Sequence, residues 1–122
     1  MKLMLPLTLT ALLFAGQALA ADCTVPANTA SVPNGAKATK EEMLAAQKTV
    51  KAYDAAVKTY TDCLKTAQDA EIAAGGDKLT DEQRNKIIDK YAGKSNAEVD
   101  KVQKLADKFN IELKAYKAKN PA

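Results

Sequence analysis

Residues 39–76 decide the fold, and they read TKEEMLAAQKTVKAYDAAVKTYTDCLKTAQDAEIAAGG. The segment opens with Thr39 and Glu42, the Thr-x-x-Glu spacing of a capping box, in which each side chain accepts a hydrogen bond from the other residue's backbone N–H. It closes with Gly75-Gly76, and glycine is the residue that most readily adopts the backbone conformations that end a helix. The sequence therefore predicts one long helix from about residue 40 to 74.

The predicted helix carries an apolar row at alternating steps of three and four residues, the 3.5-residue repeat of a coiled-coil seam. The row consists of Met43, Ala46, Val50, Tyr53, Val57, Tyr60, Leu64 and Ala67. We interpret it as the face that packs against a second helix, with the tyrosine hydroxyls at the hydrated edge of the seam.

A second row, which we call the small-residue row, runs beside the first with the same spacing. Its members are Ala45, Thr49, Ala52, Ala56, Thr59, Cys63, Thr66, Ala70 and Ala73. A face this smooth admits another backbone at close range, so we regard it as a candidate interaction surface. Its occupant is either the chain that precedes the helix or a neighbouring helix.

Residues 81–119 predict a second helix, which begins with a capping box formed by Thr80 and Gln83. Its apolar row is Ile88, Ala92, Ser95, Val99, Val102, Ala106, Phe109, Leu113 and Tyr116. Gly93, followed by Ser95-x-x-Glu98, indicates a stop and restart at residues 93–95, whereas the unbroken phase of the row favours one helix that is continuous or kinked there. Two long helices joined by a turn at residues 75–80 predict an all-α fold, an antiparallel coiled-coil-like hairpin over residues 39–120.

Pairing outward from the turn places Leu64 opposite Tyr91 and Met43 near Leu113, with Tyr53 near Val102. Gly93 then lies level with Cys63. Its missing side chain either makes room for the chain attached to Cys63 or is simply tolerated within the helix.

The first 20 residues have the three parts of an export signal. Met1 and Lys2 form a positive start, Leu3 to Ala15 is largely apolar, and Ala18-Leu19-Ala20 supplies a small-x-small cleavage site. Cleavage before Ala21 leaves 102 of the 122 residues, with no further apolar stretch near the roughly 20 residues that span a membrane. We therefore expect a periplasmic or secreted protein.

Cys23 and Cys63 are the only cysteines, and in an oxidising compartment they are expected to form one disulfide. Residues 21–38 contain Pro26, Pro33 and Gly35, which favour an extended arm with a turn at Pro33-Asn34-Gly35. Fully extended, the chain from Thr39 back to Cys23 spans about 53 Å, while Thr39 to Cys63 along a helix is about 36 Å. The arm can therefore reach Cys63, and we expect the disulfide to staple it to the hairpin.

The composition argues against most catalytic and metal-binding classes. The absence of histidine removes Ser-His and Cys-His pairs and ordinary zinc or copper sites. After residue 20, 17 basic residues face 15 acidic ones, and Arg84 is the only arginine, so a nucleic-acid surface is not expected. We interpret the acid pairs Glu41-Glu42, Asp81-Glu82 and Glu98/Asp100 as first-turn or solvent-facing positions. The expectation is a protein with no catalytic site, cofactor or metal.

Two family resemblances can be read from short motifs. Leu79-Thr80-Asp81-Glu82-Gln83 resembles the L-T-x-x-Q motif of Spy-type periplasmic chaperones, which are cysteine-free, all-helical dimers with a cradle-shaped surface. That family carries the motif twice and is rich in methionine and arginine, whereas this chain has it once. A wider layout is similar to small exported proteobacterial proteins of no assigned function: Cys23, Pro26, Pro33-x-Gly35, Glu41-Glu42-Met43, Tyr53, Tyr60 and Cys63.

Three functions remain open at this point. The leading hypothesis is a non-enzymatic envelope protein that presents a helical surface to another protein. The Spy resemblance implies the first alternative, a holdase chaperone of unfolded envelope proteins. The second alternative is a structural spacer, in which the chain would form a homo-oligomer.

Overall fold

The structure, a computed structural model, describes residues 22–122. The predicted export signal and its cleavage site before Ala21 lie outside the described residues. Helix α1 spans Lys40–Gly75, a short 3-10 turn spans Gly76–Lys78, and helix α2 spans Asp81–Lys119. The two helices pack against each other, and residues 22–122 contain no strand. The predicted all-α hairpin is confirmed.

Both helices begin with the predicted capping boxes. The Thr39 hydroxyl accepts from the Glu42 N–H at 3.1 Å, while the Glu42 carboxylate accepts from the Thr39 N–H at 2.7 Å. Thr80 and Gln83 repeat the arrangement at 3.1 and 2.9 Å. Gly76 follows the last residue of α1 as its C-cap, and its φ of 53° is a conformation that residues with a side chain rarely adopt.

Helix α2 is continuous through residues 93–95, so the alternative with a break there is wrong. An interior glycine costs roughly 1 kcal/mol of helix stability. That cost is small beside the packing of the long helix on either side of Gly93, which explains why the helix does not stop.

The core follows the predicted apolar row of α1. Seven of its eight members are buried and Val50 is half-buried. Near the open end of the hairpin, Met43 and Ala46 form a cluster with Phe109 of α2, and Leu113 packs against that cluster as the pairing predicted.

The apolar row predicted for α2 is only partly correct. Phe109 is buried, but Ile88 and Val99 are 38% and 48% exposed. Glu98, which the sequence placed in a first turn or in solvent, is instead 5% exposed. Ile88 and Val99 lie about a quarter turn from Glu98 around the helix, so the buried face of α2 is turned towards Glu98 and away from these two residues.

The arm runs back beside α1 from the start of that helix to Cys63. Residues 22–34 have no regular secondary structure, and a turn follows in which the Asn34 carbonyl accepts from the N–H groups of Lys37 and Ala38 at 3.1 and 2.9 Å. This turn begins at Asn34, one residue later than predicted. Cys23 forms a disulfide with Cys63, with 5.7 Å between the two Cα atoms. The predicted staple between arm and hairpin is therefore present.

Candidate functional site

The carboxyl-terminal end of the arm, just before α1 begins, packs directly against α2. Val32 packs against the cluster of Met43 and Phe109, and the Gly35 N–H donates to the Glu112 carboxylate at 2.7 Å. A Cβ atom on Gly35 would overlap the backbone carbonyl of Glu112, so only glycine permits this approach. Sequence reasoning missed the contact, because its partners are 77 residues apart and neither carries a local signal.

The small-residue row lies beside the arm over part of its length. One cleft between them is lined by Thr29, Ser31 and Pro33 of the arm and by Ala45 and Thr49 of α1. A second, of about 210 Å³, is lined by Ala27 and Thr29 and by Ala52 and Ala56. The preceding chain, rather than a neighbouring helix, is thus what the structure places next to this face.

The arm does not cover the small-residue row. Ala56 and Cys63 are half-buried, but Ala45, Thr49, Ala52, Thr59 and Thr66 are exposed. The hydroxyls of Thr59 and Thr66 donate to carbonyls of their own helix at 3.1 and 3.2 Å. Most of the candidate interaction surface therefore remains accessible to solvent.

Gly93 does not make room for the arm. It is exposed, and a Cβ atom added there would meet nothing within 4 Å. Of the two explanations offered by the sequence, the tolerated helix glycine is correct.

A buried carboxylate links the two helices at mid-length. Glu98 accepts from the Tyr53 hydroxyl at 3.0 Å and from the Lys101 ammonium at 2.6 Å. The hydrogen bond from Lys101 lowers the pKa of Glu98 against the opposing effect of burial, and the bond from Tyr53 lowers it further. Burial and then the bond to Glu98 raise the pKa of Tyr53. The charge of Glu98 is therefore satisfied, which explains how the core holds it.

A second polar cluster lies near the turn of the hairpin. The Glu71 carboxylate accepts from Lys90 at 2.7 Å and from the Tyr91 hydroxyl at 2.7 Å. These bonds, from Lys90 first, lower the pKa of Glu71, and the same contact raises the pKa of Lys90. Lys90 and Lys94 also lie over the Tyr91 ring, 4.7 and 5.8 Å from its centre. The cluster is a cross-helix tie that needs no catalytic explanation.

The face of the hairpin away from the arm carries an open groove, which we call the valine groove. Val57 of α1 and Val99 and Val102 of α2 line it together with Asp54, Lys58 and Thr61, around a volume of about 250 Å³. Val99 is 48% exposed in this groove although it belongs to the four-three apolar row of α2. An apolar floor with charged edges is suited to binding another apolar surface.

Within residues 22–122, no group of three His, Cys, Asp or Glu side chains is arranged to hold a metal ion. Neither described helix contains a segment long and apolar enough to cross a membrane.

No family model, curated protein or solved structure matches the chain. A function must therefore be inferred from the fold and from the grooves described above.

Proposed function

We propose that this protein is a non-enzymatic, exported envelope protein that uses the valine groove to bind an amphipathic helix of a partner protein. The exposure of Val99 carries the proposal. The four-three apolar row of α2 has the spacing of a coiled-coil seam, yet α1 covers only part of it. A row with this spacing is completed most directly by another helix, whose own apolar residues would enter the groove at the same spacing.

Export is proposed from the amino-terminal sequence. The Cys23–Cys63 disulfide and the lack of a membrane-crossing helix in the described chain are compatible with it.

The test compares two aspartate substitutions on α2. Val99→Asp places a charge in the groove, whereas Ile111→Asp makes the same change at an aliphatic residue that is 65% exposed and not part of the groove lining. Partners would be cross-linked in envelope extract, identified by mass spectrometry and then titrated as purified proteins. A partner that binds wild type and Ile111→Asp but loses at least tenfold in affinity for Val99→Asp supports the proposal. Equal binding by all three proteins would refute it.

The two alternatives give different results in the same experiment. A Spy-like holdase would suppress aggregation of several unrelated unfolded proteins near equimolar amounts, and Val99→Asp would weaken that activity. An oligomeric spacer would self-associate, and light scattering would show Val99→Asp shifting the oligomer to monomer. A single tight partner, with neither of these activities, distinguishes the specific binder.

A further inference from the structure

The side of α2 opposite the valine groove carries a line of lysines, which we call the lysine row. It consists of Lys86, Lys90, Lys94, Lys101, Lys104, Lys108 and Lys119, all of them exposed. At 3.6 residues per turn these seven residues lie within about 40° of one line along the helix, and they extend over about 50 Å. The same geometry places Val99 about half a turn away.

Four of these lysines form no direct ion pair within residues 22–122, although Lys94 lies close enough to Glu71 for its charge to lower the pKa of that carboxylate. The other three form ion pairs. Lys86 pairs with Glu82 at 2.8 Å, Lys90 with Glu71 at 2.7 Å, and Lys101 with Glu98 at 2.6 Å. The members without an ion pair are Lys94, Lys104, Lys108 and Lys119. Positive charge in the row is therefore only partly neutralised by the fold itself.

The other residues on this line do not prevent a ligand from reaching the lysines. Ala97 and Ala115 carry no charge, and the carboxylate of Glu112 already accepts from Gly35 at 2.7 Å. No aromatic side chain stands in the row, so it offers no platform on which nucleic-acid bases could stack.

An acidic line on the same helix restricts the shape of the ligand. Asp89, Asp100 and Asp107 are exposed and lie about a quarter turn from the lysine row. On a helix about 10–12 Å wide that separation is about 8 Å, close to the screening length at physiological ionic strength. A broad anionic surface would meet both lines, whereas a narrow chain can follow the lysines alone.

We propose that the lysine row binds a linear polymer that carries a phosphate group on each repeat unit. Lysine binds phosphate as a point charge, without the fixed fork of arginine, so it suits repeated charges along a flexible chain better than one oriented group. The length of the row allows several lysines to act on one polymer at once. This surface goes beyond the proposed function, because it lies on the opposite side of α2 from the helix-binding groove.

The test uses long-chain inorganic polyphosphate and two variants with the same change in net charge. Lys94, Lys104 and Lys108 are changed to Gln in the row variant. The control changes Lys40, Lys48 and Lys51 of α1, which are exposed and make no ion pair within the described chain. Wild type and control should bind alike, with affinity falling as salt rises. The row variant should lose about tenfold or more, and its slope of log affinity against log salt should fall by about two to three.

A third variant, with Arg at the same three row positions, keeps the charge and should retain binding, which separates loss of charge from any effect on folding. Equal losses in the row and control variants would show that net charge alone decides binding and would overturn the proposal. So would the absence of polyphosphate binding by wild type at low salt. Row-dependent binding to phosphatidylglycerol vesicles, equal in strength to polyphosphate binding, would replace the polymer by a lipid surface. Val99→Asp should bind polyphosphate normally, so this proposal can fail or succeed independently of the valine groove.

Discussion

Two glycines of this chain have opposite roles, although both lie next to helical backbone. Gly35 is buried and its α-carbon faces the Glu112 carbonyl, with no space for a side chain. Gly93 lies in the exposed interior of α2, with open space where a side chain would be. The first is required by packing, whereas the second only lowers the helix propensity of α2.

This difference predicts opposite effects of the same substitution. Gly35→Ala should lower the free energy of unfolding by about 1–3 kcal/mol, because the arm must move away from α2. Gly93→Ala should raise it by about 0.5–1 kcal/mol, because alanine has the higher helix propensity. Urea unfolding followed by circular dichroism measures both. A stabilising Gly35→Ala would mean that the arm does not contact α2 as described.

Glu98 predicts a specific dependence of stability on pH. Its pKa in the folded protein is lowered from the ordinary 4.5. As the pH falls to about 4.5 and below, Glu98 therefore takes up a proton more readily in the unfolded chain than in the folded one. The contribution of Glu98 is therefore complete above about pH 4.5 and is lost as the pH falls through the lowered pKa.

The measurement compares unfolding free energies of wild type and Glu98→Gln from neutral to acidic pH. The variant should be less stable near neutrality, and its deficit should shrink as the pH falls, because glutamine keeps an acceptor for Tyr53 but has no charge to lose. Glu71→Gln is the matched control. The Glu71 side chain is 39% exposed, and solvent screening should make its effect smaller. A deficit for Glu98→Gln that does not change with pH would contradict the assigned role.

At the scale of elements, the buried face of α1 could be predicted from sequence and that of α2 only in part. The row from Met43 to Ala67 is a clear apolar stripe, and the structure buries nearly all of it. Helix α2 has apolar residues on two adjacent lines, represented by Val99 and Leu105, so periodicity alone does not identify the one that faces α1. The arm adds a contact to α2 at Glu112, which no local pattern in the sequence indicates.

The arm is anchored at its two ends and makes few contacts between them. This arrangement predicts which part of the arm is freed when the disulfide is reduced. Among residues 24–33 the only hydrogen bond within the described chain is local, from the Ala30 N–H to the Asn28 side chain at 3.3 Å. The arm end near Gly35 is held by packing and by Glu112, while the other end is held by the disulfide. Reduction should therefore free residues 24–31 while both helices remain folded.

Limited proteolysis with mass spectrometry tests this release. Cleavage between residues 24 and 31 should be slow in the oxidised protein and rapid after reduction, because segments with few contacts open at low free energy. Circular dichroism of the reduced protein checks that its helices are retained. Equal protection of the segment in both states would show that side-chain contacts, rather than the disulfide, hold the arm.

At the scale of the whole molecule, the core is thin for the length of its helices. Among residues 22–122, the buried apolar side chains come almost entirely from α1, and α2 contributes Phe109 alone to this buried set. Three of the eight members of this set are alanine or valine, which bury little area. A small domain with such a core depends on a covalent tie to reach ordinary stability.

The disulfide supplies that tie, and its contribution can be estimated. It links residues 40 apart in sequence, and in the chain-entropy model closing a loop of this size contributes about 4 kcal/mol. Small proteins have total stabilities of about 5–15 kcal/mol, so replacing Cys23 and Cys63 together by Ser should lower the melting temperature by on the order of 15 °C or more. Reduced wild type should melt at the same temperature as the double variant, since both lack only the cross-link. Calorimetry of the three samples measures these melting temperatures. If oxidised and reduced wild type have the same melting temperature, the stability of the hairpin must come from its helix packing alone.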